Sequence, residues 1–72
     1  MGPTEYRETI ARLGLSQVQA ASFLGVDERT SRRWASGDRE IPLSAARFLS
    51  FLDLANIKPK RVLRVLEEGG AL

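Results

Sequence analysis

Neither cysteine nor histidine occurs among the 72 residues of this chain. The first absence excludes disulfides and thiolate metal sites, and the second removes the commonest general base and metal ligand. No apolar run approaches the ~18 residues that crossing a bilayer requires. The opening MGPTEYRE lacks the apolar region of a signal peptide, so a cytoplasmic protein with no membrane partner is expected. Period-2 alternation of β-branched residues is missing, which argues against strands. P-loop and dinucleotide fingerprints are missing too, and the scattered carboxylates make no nucleophile–base pair or ligand cluster. The expectation is a protein that is no enzyme and needs no cofactor and no metal. Charge of one sign is also scarce. Eleven basic residues stand against nine acidic ones, for a net charge of +2, so a nucleic-acid partner has to be argued from where the charges sit.

What is present is helical periodicity in a single domain spanning 1–72, near the size at which one core is only just enough. A first helix is expected over about 4–13, with Tyr6, Ile10 and Leu13 at helical spacing and Gly14 as its stop. Ser16 with Gln19 three residues on fits a capping box, which starts a second helix at Gln17 and carries it to about Leu24. Gly25 supplies a sharp turn, Val26 plugs it from beneath, and Asp27 caps a third helix running to about Ser36 before Gly37. GDREIP reads as a loop. Pro42 or Ser44 opens a fourth helix with an apolar face of Leu43, Ala46, Phe48, Leu49 and Leu52. Asn56 is a left-handed stop, and Pro59 fits the first turn of a fifth helix. That last helix sets Val62, Leu63, Val65 and Leu66 among Lys58, Lys60, Arg61 and Arg64, and the helical region of 42–68 gives way to a frayed GGAL. The expected fold is all-α, a compact bundle of about five short helices.

The stretch 16–36 carries the functional signal. Ala20, Ala21 and Gly25 are small where two helices joined by a tight turn must approach closely. Val26, Thr30 and Trp34 recur every four residues and form the expected buried stripe. Glu28, Arg29, Arg32, Arg33 and Ser36 then fall on outward rows. Arginine suits bidentate contact with guanine, and glutamate accepts from the cytosine amino group, so Glu28, Arg29, Arg32 and Arg33 are the candidate base contacts. Gln17 lies in the first turn of its helix, where free N–H groups and the helix dipole favour an anion. Gln17, Ser36 and Arg39 are the candidate phosphate contacts, which position a protein without specifying sequence.

The run LSQxxxAxxLGV, followed by xxxTxxRW and then G, resembles the phage-repressor and Cro-type (XRE-like) helix-turn-helix family over about residues 13–52. The resemblance implies a lambda-repressor-like bundle that binds double-stranded DNA as a symmetric homodimer at an inverted-repeat operator and regulates transcription, in a phage, prophage or toxin–antitoxin setting. Gln17 matches the family's phosphate-binding glutamine. Glu28, Arg29 and Arg33 match its base-reading positions, with Arg32 flanking them. The chain also departs from the family. Ser36 stands where an asparagine is common, Ser31 where a branched aliphatic is usual and Ala20 where leucine is usual. The core is therefore expected to be thinner, with Trp34 filling the space. Phe23 falls at a normally exposed position, either as a partner contact or as a local repacking.

Three plainer readings stand beside these. Arg29, Arg32 and Arg33 can form a solvated face laced with salt bridges. Glu28 can serve only as a favourable charge in a first turn. The apolar residues of the fifth helix can belong to the core, or leave part of the fourth or fifth helix for a twin subunit. A different function is also open: a protein-interaction module, an antitoxin or adaptor, docking a protein partner through Phe23 and the acids Asp27 and Glu28.

Overall fold

Local stop signals divide the chain into five helices: α1 (Pro3–Arg12), α2 (Gln17–Leu24), α3 (Glu28–Ser36), α4 (Leu43–Leu54) and α5 (Pro59–Gly70). The computed structural model describes residues 1–70, and no strand occurs among them. α1, α2 and α4 end in the same way. A residue with positive φ (Gly14, Gly25 or Asn56) follows the last turn, and the next N–H reaches back five residues. Those bonds are Leu15 to Ile10 at 2.9 Å, Val26 to Ala21 at 2.9 Å and Ile57 to Leu52 at 2.8 Å. Each donor is an apolar residue packed against the core, so the dipeptides Gly-Leu, Gly-Val and Asn-Ile both stop a helix and anchor the chain. At the other ends, Ser16 and Gln19 close a capping box with bonds of 3.1 and 2.9 Å. Asp27 accepts the Thr30 N–H at 2.7 Å, taking up a donor that α3 itself leaves unpaired.

α1 is the central strut and packs against α2, α3 and α4, while α2 packs mainly on α3. The core gathers Tyr6, Ile10 and Leu13 from α1 and its end, Trp34 and Ala35 from α3, and Leu49 and Leu52 from α4. Tyr6 and Trp34 meet edge to face, with ring centroids 5.8 Å apart. Ala20 is fully buried, which lets α2 lie close to α3. At the lower end of α1, Arg12 holds Asp53 of α4 at 2.9 Å, and the Lys58 ammonium donates to the Arg12 carbonyl at 3.0 Å.

Several expectations need correction. α1 occupies Pro3–Arg12, one residue earlier than 4–13, because proline's fixed φ suits a first helical position. The buried line of α3 is Ser31, Trp34 and Ala35; Val26 and Thr30 are only half-buried. The helix is rotated because the Tyr6 hydroxyl reaches in to Ser31 Oγ at 2.6 Å. A branched aliphatic at 31 would have left that phenol unpaired, which is why serine belongs there. On α4 only Ala46, Leu49 and Leu52 are buried, and Leu43 is exposed. Phe48, on the expected apolar face, lies at the margin of the core and stacks on Phe23 at 5.7 Å; local packing thus accounts for Phe23. α5 continues through Gly69 and Gly70, where fraying was expected, while Ala71 and Leu72 lie outside the described residues. Its stripe is mostly not core: Leu63, Val65 and Leu66 are exposed. Among the described residues, no helix is long and apolar enough to cross a membrane.

Candidate nucleic-acid interface

The Asp27 cap and Glu28 open α3, three arginines follow, and the rotation of the helix sets which way they point. Taking Ser31, Trp34 and Ala35 as the inner side, a step of 100° per residue puts Arg29 nearly opposite, with Arg33 on one side of it and Ser36 on the other. Glu28, Arg29 and Arg32 are exposed, whereas Arg33 is half-buried. Asp27, Glu28, Arg29 and Arg32 together line one shallow open depression. Arg33 is not part of it. Three of the four candidate base contacts therefore share that depression, and the fourth, Arg33, is half-buried beside Arg29 outside it.

The charges on this surface are partly spoken for. Arg32 Nη2 donates to Glu28 Oε1 one turn earlier, an i,i+4 pair that holds both side chains along the helix. Hydrogen bonding from Thr30, and then the charges of Arg29 and Arg33, holds the Asp27 carboxyl below the usual carboxylate range. Asp27 is thus an anion fixed in place as a cap. Among the described residues Arg29 has no ion-pair or hydrogen-bond partner, which leaves its five donors to an external acceptor.

The candidate phosphate contacts divide. Gln17 opens α2 and is half-buried. It lies beside first-turn N–H groups, of which Ser16 takes up only that of Gln19. Ser36 is exposed but engaged locally: its hydroxyl donates to the Arg33 carbonyl at 3.2 Å and accepts the Asp38 N–H at 3.4 Å. It acts as a clasp on the end of α3. Arg39 follows in the loop, exposed, with its own N–H bonded to the Arg33 carbonyl at 3.3 Å.

Asp27, read from sequence as a cap and as one of the acids of the docking alternative, lines the arginine depression. One contributor was not foreseen. Arg7 of α1 donates to the Ala35 carbonyl, satisfying the C-terminal end of α3 from outside and fixing that helix to the strut. The signal for Arg7 was weak, since a lone arginine one residue from Tyr6 looks like any solvated position. No group of Asp and Glu able to hold a metal ion occurs among the described residues.

Comparison of the chain with protein-family models, curated proteins and solved structures returns no match. Geometry and chemistry therefore carry the functional reading.

Proposed function

We propose that this chain is a sequence-specific DNA-binding domain, a repressor-like transcriptional regulator of the helix-turn-helix kind that inserts α3 in the major groove. The observation that carries it is Arg29, directed away from the core with no partner among the described residues. It stands on a short helix capped at its start by Asp27 and clamped near its end by Arg7. A guanidinium held on the exposed side of a helix fixed at both ends is what bidentate reading of guanine needs. Arg32, extended along the helix by Glu28, is the second reader, and Arg33, half-buried beside Arg29, is the third. Gln17 and Arg39 take backbone phosphates on either side. Two copies on an inverted repeat would sit about 34–36 Å apart.

Selection from a random duplex pool tests this reading directly. A defined operator should emerge, Arg29→Ala should cost about 1–3 kcal/mol on it and relax one base pair, and Gln17→Ala should weaken all duplexes alike. An unselective pool, or an Arg29→Ala loss equal on every sequence, sinks it.

One observation favours a second reading, a protein-docking module: Asp27 and Glu28 share the depression with Arg29 and Arg32 and would repel phosphates. Titrating duplex binding with salt separates the two. A regulator shows a steep fall of log affinity with log salt, and an adaptor shows little binding at any salt.

A further inference from the structure

A cavity of about 480 Å³ opens where the end of α1, one side of α2 and the first turns of α5 meet. That size falls within the roughly 300–1,000 Å³ of small-molecule sites. Leu13 and Pro59 are its buried lining, and Leu15 and Phe23 are half-buried around it. Leu63 of α5 also lines it and keeps 47% of its surface in water. Phe23 is held in place by its stack on Phe48. Folding leaves these five side chains facing a space rather than one another, so an apolar body seated there would complete their burial.

The charges around this space are of one sign. Lys58 and Lys60 line it, and no acid does. Lys58 spends one of its three N–H donors on the Arg12 carbonyl at 3.0 Å. Asp53, whose carboxyl feels Lys58, is held by Arg12 at 2.9 Å. Lys60 belongs to neither of the ion pairs among the described residues, Arg12–Asp53 and Arg32–Glu28. Both lysines also border a second surface with Arg61, Arg64 and Glu68, where four cations stand against one acid. Glu67 lies about two turns beyond Lys60, outside the lining. Gln19 accepts the Ser16 N–H through its side-chain oxygen, which leaves its amide donors at the cavity. Apolar walls with ammonium and amide donors beside them complement an apolar chain that ends in a carboxylate.

We propose that this cavity binds a free medium-chain carboxylate. The chain lies against Leu13, Phe23 and Leu63, and the carboxylate meets Lys60, with Lys58 and the Gln19 amide beside it. The crevice between α4 and α5 is the rival position. Its lining holds a single cation, Arg61, and its Phe51, Val65 and Leu66 are each more than half exposed, so it offers less cover and less charge. A bound acid touches α5 and also α2, which packs on α3, and so ties the last helix to the rest of the bundle. None of the candidate DNA contacts lines the cavity, and the inference stands apart from what α3 binds.

Titration of octanoate into the isotope-labelled full chain, followed by amide chemical shifts, tests it. Hexanoate, 1-octanol and octyltrimethylammonium are the comparisons. Octanoate should saturate with a dissociation constant of about 1 mM or tighter, with shifts centred on Leu13 to Phe23 and Lys58 to Leu63. Hexanoate should bind about tenfold more weakly, because two methylenes leave the apolar walls. The alcohol and the cation should also bind about tenfold more weakly, since neither satisfies the two lysines. Lys60→Gln should weaken octanoate about threefold and leave octanol unchanged, whereas Arg61→Gln should alter neither. Leu63→Gln should weaken both ligands, with far-UV circular dichroism confirming that the variant stays helical. An affinity for octanol equal to that for octanoate, shifts centred on Phe48, Phe51 and Leu66, indifference to Lys60→Gln, or no saturation by about 10 mM would each overturn the proposal.

Discussion

Tyr6 and Ser31 bury their hydroxyls against each other at 2.6 Å in the centre of the core, where water cannot serve either one. Removing one partner strands the other, so Tyr6→Phe and Ser31→Ala should each cost about 1–3 kcal/mol. The double variant should cost less than the sum, which a urea-denaturation double-mutant cycle will read as coupling. Burial pushes the Tyr6 phenol above its usual value, with the Ser31 hydrogen bond working against the shift. The neutral phenol thus contributes stability that is whole below about pH 10 and lost as pH rises through the folded value. Trp34 behaves differently: its buried Nε1 has no partner among the described residues. On the surface, Glu28 both steers Arg32 and repels phosphate. Under the DNA reading, Glu28→Gln should tighten binding to unselected duplexes while narrowing the preference for the operator, as competition binding will measure.

At the scale of elements, the turn between α2 and α3 depends on one backbone state. Gly25 has φ +74°, and a Cβ there would meet nothing within 4 Å. Gly25→Ala therefore isolates the backbone term, with an expected loss of about 1–2 kcal/mol in denaturant unfolding. The start of α3 depends instead on charge. Asp27 is held below its ordinary range by Thr30 and the neighbouring arginines, and Asp53 by its hydrogen bond to Arg12. A carboxylate with a depressed folded value stabilises above its unfolded value, about pH 4, and the contribution fades as pH falls through the folded one. Thermal midpoints should accordingly drop as pH falls below about 4. Asp27→Asn should flatten that decline, since it keeps an N-cap acceptor but cannot be protonated in this range.

For the molecule as a whole, a net charge of +2 does not drive DNA binding by itself, so location has to do what quantity does not. With Arg29 and Arg32 in one depression and Asp27 and Glu28 beside them, the reading implies that few phosphates are neutralised per copy. The slope of log affinity against log salt should be about −3 to −5 for a single domain and double for a dimer. Raising protein concentration through the dimerisation range should therefore steepen the slope.

The sequence alone determined the elements: five helices, their caps at Ser16 and Asp27, and their stops at Gly14, Gly25, Gly37 and Asn56. Those features rest on local hydrogen bonds and backbone preference, which act over three to five residues. It also marked 16–36 as two short helices around a tight turn. Tertiary structure decided how far each helix is rotated, because rotation follows from contacts distant in the chain. Tyr6 reaching across 25 residues to Ser31 put Ser31, Trp34 and Ala35 inward and left Arg29 outward. Tertiary structure also decided that α5, as apolar in pattern as any core helix, stays largely uncovered, since periodicity reports an apolar face and cannot say what lies against it.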